Sequence, residues 1–243
     1  MPETQGFTTQ DALAELRTKA QRQETIKVYE WPVCLWHWVN AACITVLAVT
    51  GFLIASPLWS VPGEASAHYI MGDMRFVHFA AGHLLAVALL ARLYWAFVGN
   101  HHAKQIFILP VFRPTWWSEV LFELKWYLFI ERTPKKYVGH NPMAHLIMTL
   151  VFMPALIFQI VVGFALFAEG AGDSSWQHHL FGWVITLAGN TQWLHTLHSL
   201  GMWVIVLFAV VHIYAAVRED IMSRQTLIST IINGMRSYKD DLP

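Results

Sequence analysis

Apolar residues in this chain run in long unbroken blocks. Residues 31–63 contain no Asp, Glu, Lys or Arg. About 20 apolar residues in a helix are enough to cross the hydrocarbon core of a bilayer. Four stretches meet that length, at about 33–55, 74–98, 143–168 and 196–217. The third contains Pro154, where a kink is expected because proline removes a backbone donor. Two shorter segments fall between the spans. Residues 179–189 are apolar but too short to cross, and 116–130 carry Glu119, Glu123 and Lys125 among helically spaced apolar positions. Both read as helices lying in the interface. The expected fold is all-α, a four-helix transmembrane bundle with short interfacial helices, bracketed by polar tails at 1–30 and 218–243.

Composition agrees with a bilayer protein. Of 243 residues, 56% are hydrophobic and 13% charged, against about 25% charged in ordinary soluble domains. Mean hydropathy is +0.42. The 16 basic and 16 acidic residues cancel, so the basic excess of a nucleic-acid binder is missing. The placement of the basic residues is informative. Arg17, Lys19, Arg22 and Lys27 precede the first span. Lys104, Arg113, Lys125, Arg132, Lys135 and Lys136 lie between spans two and three, with Arg92 able to snorkel toward them. Arg218, Arg224, Arg236 and Lys239 follow the fourth. Only Arg75 falls on the other side, so both termini and the middle loop are expected to be cytoplasmic. Residues 1–27 lack an apolar core followed by a cleavage site, so the first span is expected to act as its own insertion signal. Cys34 and Cys43, nine residues apart on one helix, are too distant to bridge and read as packing residues. No CxxCH string is present for covalent haem attachment.

The 13 histidines carry the chemistry. Ionisable side chains inside a membrane point to function. The topology gives each a depth. His37 and His212 share the cytoplasmic half, whereas His78 and His198 share the periplasmic half. His198 and His212 are 14 residues apart, about 3.9 helical turns, so they share a face and are separated by roughly 21 Å. His195, the rival to His198, is about 100° out of phase with His212. Two inward-facing imidazole pairs at two levels are suited to two stacked b-type haems, each with both axial positions closed. The absence of HExxH and of carboxylate or thiolate partners argues against zinc. On the residues alone, a histidine proton relay in a transporter and a cofactor-free anchor stay open beside the haem reading.

Several strings together resemble a known family. They are Pro32-Val33-Cys34-Leu35-Trp36-His37-Trp38 with Thr50-Gly51, Gly63-Glu64-Ala65, Arg75-Phe76-Val77-His78-Phe79, Arg92 through Asn100, Gly139-His140-Asn141-Pro142, and His195-Thr196-Leu197-His198-Ser199-Leu200-Gly201-Met202-Trp203 continuing through His212 to Ile221. The chain closely resembles the b-type cytochrome subunit of membrane-bound nickel–iron hydrogenases. It is similar also to the cytochrome b subunit of respiratory formate dehydrogenase, which is kept as the alternative. The resemblance implies a di-haem inner-membrane anchor with no H₂ chemistry of its own. Its partner would be the iron–sulfur small subunit with its transmembrane helix, and through that the nickel–iron large subunit. Electrons would pass to quinone. Carried over by motif, the axial ligands of the two haems b are His37, His78, His198 and His212, with His37/His212 on the cytoplasmic-side iron and His78/His198 on the periplasmic-side iron. His140 and Asn141 are the expected quinone contacts. The periplasmic loops, with Trp59, Tyr69, Trp176, Phe181 and Trp183, are the expected docking face. One departure stands out: the family usually has Arg two residues before the first Trp of WHW, where this chain has Cys34.

Overall fold

A computed structural model describes residues 25–57 and 69–238, together with positions 10 and 13. Arg17, Lys19, Arg22, Trp59, the Gly63-Glu64-Ala65 string, His68 and Lys239 lie outside the described residues. Four helices are long and apolar enough to cross a membrane. They are α1 (Trp31–Ala55), α2 (Ile70–Val98), α4 (Pro142–Ala171) and α6 (Thr191–Met222). The interfacial helix α3 spans Pro114–Tyr127, and α5 spans Trp176–Ala188. A last helix, α7, spans Leu227–Asn233. All four crossing helices extend past one or both of the limits that hydropathy suggests, because polar ends such as Thr191-Gln192 and Arg218-Glu219 continue the backbone ladder beyond the apolar core.

Start and stop signals explain the boundaries. Asn190 caps α6, its side chain accepting from Trp193 N at 2.7 Å, and Ser175 caps α5 by accepting from His178 N at 3.2 Å. Helix α5 ends at Gly189 in the left-handed conformation. Pro154 produces no break. The turn ahead of it, Met148–Phe152, widens to a π-turn inside α4. That wider turn is where the missing N–H and the ring of Pro154 are accommodated.

The end of the bundle where α1 begins and α6 ends is more ordered than polar tails suggest. A two-stranded antiparallel ribbon pairs β1 (Thr25–Lys27) with β2 (Met235–Ser237), in the register Ile26 opposite Arg236. Gly234 makes the return possible. Its φ is +78°, and a Cβ there would stand 2.1 Å from Tyr29 O. Its carbonyl accepts from Val28 N and Tyr29 N at 2.8 and 3.1 Å. Glu30 then ties α1 to the end of α2, its carboxylate accepting from Trp95 Nε1 at 3.0 Å and Asn100 N at 2.9 Å. Arg236 is buried between these parts and donates to the carbonyls of Tyr137 and Gly139 at 2.7 and 2.8 Å.

Within the bundle, Cys43, Leu85, Phe152, Met153 and Leu156 form a buried cluster with Ile106 from the middle loop. Both cysteines are buried free thiols. Val49, Val87, Leu90, Val210 and Ile213 are exposed apolar residues on the crossing helices, as a lipid-facing surface requires.

Helix α3 docks through a buried polar cluster. Arg218 Nη2 donates to Trp126 O at 2.9 Å, and its guanidinium lies 4.8 to 5.0 Å from the ring centroids of Trp126, Tyr127 and Phe129. Trp126 Nε1 donates to Glu219 at 3.0 Å. Glu123 is 1% exposed, and neither of its oxygens has a hydrogen-bond partner among the described residues. Burial, then the nearby Glu219 carboxylate, push Glu123 up to about 7, against smaller opposing effects of Tyr137, Lys135 and Arg218. A carboxyl raised in the folded state favours folding most below its unfolded value, and that contribution is lost as pH rises through about 7. Glu123→Gln is therefore expected to raise the thermal midpoint of the detergent-solubilised protein at about pH 8 and to approach the parent near about pH 5. Parallel melting curves across that range check it. A variant less stable than the parent at the higher pH contradicts the assignment.

Candidate haem-binding site

Three of the four crossing helices bring histidines together. His37 on α1 and His212 on α6 face each other with ring centroids 6.3 Å apart. His78 on α2 and His198 on α6 do the same, also at 6.3 Å. No hydrogen bond joins the rings within either pair among the described residues. The distance is informative. A metal–imidazole bond of about 2 Å plus about 1.1 Å from nitrogen to ring centre, taken twice, gives a separation of about 6.2 Å for two rings on one metal ion. The 14-residue interval between His198 and His212 thus places them on one face of α6, each opposite a different helix.

His78 shows how one ring is oriented. Its Nδ1 lies 2.9 Å from Thr50 Oγ1, and that hydroxyl donates its proton to Val46 O at 2.7 Å. The hydroxyl therefore accepts from Nδ1–H, which leaves the Nε2 lone pair free as a ligand. This is the outer-shell arrangement that metal-bound imidazoles require. His37 Nδ1 and His198 Nδ1 are buried without a partner among the described residues. Each of these nitrogens therefore carries the desolvation cost of an unmade hydrogen bond, unlike that of His78.

Backbone and aromatic neighbours shape the space. A Cβ at Gly51 would stand 3.2 Å from His78 Cε1, and one at Gly163 would stand 3.3 Å from His198 Cε1. Small residues on α1 and α4 thus leave room for the imidazoles at the His78/His198 level. At the other level, His212 stacks on Phe208 at 5.5 Å, and Phe208 stacks on Phe152 at 4.7 Å. Phe152 belongs to the π-turn of α4. Helix α4 supplies no imidazole to either pair, yet it props His212 through this aromatic column. Sequence reading did not find Thr50, Phe152 or Gly163 as supports. Thr50-Gly51 beside the apolar core of α1 was the available signal.

Other histidines have different surroundings. His195 is exposed and does not face His78. His83 Nδ1 lies 2.7 Å from Phe79 O, and its ring packs on Phe164, Phe167 and Trp176. His145 Nε2 lies 3.0 Å from Ile108 O. Of the expected docking residues, Tyr69, Trp176 and Trp183 are exposed, whereas Phe181 stacks on Phe164 at 5.2 Å.

His140 and Asn141 lie just before α4. Gly139 reaches φ +90°, where a Cβ would meet His102 and Gln105 under 3 Å. That close approach sets His140 against Tyr29, whose hydroxyl is 3.1 Å from Nδ1, and against Gln105, whose Oε1 is 3.3 Å from the same atom. Burial, then the charges of His145, Arg236 and His212, hold His140 at about 3, although the residue keeps some accessible surface. Burial pushes Tyr29 up to about 12. The pair is neutral at physiological pH, and in the tautomer in which Tyr29 donates to Nδ1, His140 Nε2–H is a donor. Asn141 is the α4 cap. Its Oδ1 accepts from Ala144 N at 2.7 Å, and its Nδ2 donates to Tyr127 at 3.3 Å.

The family described as "Prokaryotic cytochrome b561" matches residues 28–234. A protein of Azotobacter vinelandii named "Probable Ni/Fe-hydrogenase B-type cytochrome subunit" is 56% identical over 225 residues, covering 93% of this chain and 94% of its own. One of the same name from Rhizobium leguminosarum bv. viciae is 57% identical over 222 residues, covering 91% and 93%. "Probable Ni/Fe-hydrogenase 1 B-type cytochrome subunit" of Escherichia coli is 45% identical over 217 residues, covering 87% and 91%. With its four crossing helices, this is a multi-pass protein of the bacterial inner membrane. The chain belongs to the prokaryotic cytochrome b561 family of b-type cytochromes.

Proposed function

We propose that this chain is the di-haem membrane subunit that carries electrons from a periplasm-facing nickel–iron hydrogenase to quinone. The observation that carries the reading is the pair of facing imidazoles at each of two levels, 6.3 Å apart in both cases. His37 and His212 would hold one haem b, and His78 and His198 the other. When bound, the two haems would supply one-electron carriers. The chain's own part is to keep the imidazoles neutral, correctly turned and shielded from water. Thr50 does this for His78, and the Phe152–Phe208 column does it for His212.

The names of the relatives support a hydrogenase as partner. The Lys and Arg distribution supports cytoplasmic termini. The iron–sulfur small subunit would then dock on the periplasmic side, where Tyr69, Trp176 and Trp183 offer exposed aromatic surface.

Quinone would bind on the cytoplasmic side, next to His140. His140 Nε2–H and Asn141 Nδ2–H are donors for a quinone carbonyl. A neutral His140 is a hydrogen-bond donor and not a stored proton, so protons for the reduced quinone must come through another group. Uptake of those protons from the cytoplasm, with H₂ oxidised outside, would build a membrane potential.

Two experiments follow. Haem content and the dithionite-reduced spectrum are measured in four single variants. His37→Ala and His212→Ala are expected to remove one and the same haem, and His78→Ala and His198→Ala the other, each lowering the b-type absorbance by about half. Gly163→Leu is expected to act like His198→Ala, because its side chain displaces that ring. Loss of the same haem in His37→Ala and His78→Ala overturns the pairing. For quinone, H₂-to-quinone and H₂-to-dye activities are compared in His140→Ala and Asn141→Ser, the second chosen because serine still caps the helix. Lost quinone reduction with intact dye reduction and both haems is expected. Unchanged quinone reduction in both variants removes the site.

A further inference from the structure

Arg92 occupies the membrane-buried part of α2 and is 2% exposed. Its Nη2 donates to Ala103 O, while Nε and Nη1 are buried and have no hydrogen-bond partner among the described residues. No carboxylate forms an ion pair with it among those residues. Its guanidinium carbon lies 5.5 Å from the ring centroid of Trp36, the neighbour of His37, and 5.4 Å from that of Phe107. The interval from His78 to Arg92 is 14 residues, the same as from His198 to His212. Both α2 and α6 start on the same side of the bundle, and their imidazoles at 78 and 198 face each other. One interval along each helix therefore brings Arg92 to the level and inward face at which His212 stands.

A permanently charged group in this setting requires an anion, because its burial otherwise carries a large desolvation penalty. The other buried cations nearby are already engaged. Arg236 donates to two carbonyls and to Thr230. Arg218 has Glu219 at 3.9 Å. Cys34, where relatives of this type would carry a cation, points its thiol at Thr230 O. Arg92 differs from both: among the described residues it has no carboxylate at ion-pair distance, as Arg218 has, and it keeps two buried guanidinium nitrogens without a partner, as Arg236 does not.

We propose that Arg92 binds a propionate carboxylate of the haem held between His37 and His212, and so supplies the anion-binding contact that Cys34 cannot. This rests on the haem assignment of those two histidines. A planar guanidinium with two free N–H groups suits a carboxylate, and the charge-assisted contact would fix the rotation of the macrocycle about the iron axis.

The test is made on the full chain in its membrane complex. Resonance Raman spectra of Arg92→Gln are recorded with haem content. A shift of the propionate bending band, with both haems retained, is expected, since that band follows hydrogen bonding to the carboxylate. Both haems retained with an unmoved band overturns the proposal and leaves Arg92 as a tie between α2 and the following turn. If Arg92→Gln loses a haem, the unaltered chain decides the matter. It is expressed in a haem-deficient host supplied with either haem or haem dimethyl ester. Reduced loading of one site by the ester supports the carboxylate contact, and equal loading overturns it. Failure of the haem assignment itself is seen separately, as two haems remaining in His37→Ala and His212→Ala.

Discussion

Two imidazoles face each other across the bundle interior, and do so twice, about four turns apart on α6. That arrangement fixes the rotation of α6 about its own axis. It then fixes α1 and α2, because each must present one histidine at a different depth to the same face of α6. A helix rotated by one residue, about 100°, would turn its imidazole toward lipid or a neighbouring helix. His195 illustrates this: three residues before His198, it is exposed. Helix α4 has no ligand to present and is used as a wall. Its Gly163 leaves room beside His198, and its Phe152 buttresses His212 through Phe208.

The π-turn in α4 belongs to the same economy of space. Pro154 cannot donate to the preceding turn, so the helix widens over Met148–Phe152, and Phe152 emerges from that widened turn. A residue that reads as a helix breaker is accommodated by a local adjustment that also supports the site. Proline inside a membrane helix is tolerated where the freed backbone groups are satisfied again by such adjustments.

The two ends of the molecule follow different rules. The crossing segments meet lipid with apolar side chains, and their buried polar groups are few. The end that carries the β-ribbon is held by charges removed from water. Glu30, Arg92, Arg218, Glu219 and Arg236 tie together α1, α2, α3, α6 and the β-ribbon. Breaking one partner of a buried charged cluster is strongly destabilising, whereas a surface ion pair contributes little. Such contacts can therefore order loops that hydropathy alone describes as polar and exposed. Asn141 shows how one side chain serves two needs there, capping α4 with its oxygen and leaving its amide to Tyr127.

Local sequence determined the four crossing helices, the two short interfacial ones and the intervals between histidines. Those follow from block hydrophobicity and from a helical repeat of 3.6 residues, both of which act within one segment. The choice of His198 over His195 was also legible, because phase along a single helix suffices to make it. The tertiary structure alone decided what lay between segments. It brought β1 to β2 from opposite ends of the chain, extended α6 to Met222, and made buried struts of Arg218 and Arg236 in the polar tail. It also set Thr50 against His78, since that contact depends on how α1 and α2 rotate against each other. The physical reason is one of range. Hydropathy and helical phase are sums over neighbours in sequence, whereas burial of a charge or orientation of an imidazole depends on which distant atoms satisfy its hydrogen bonds.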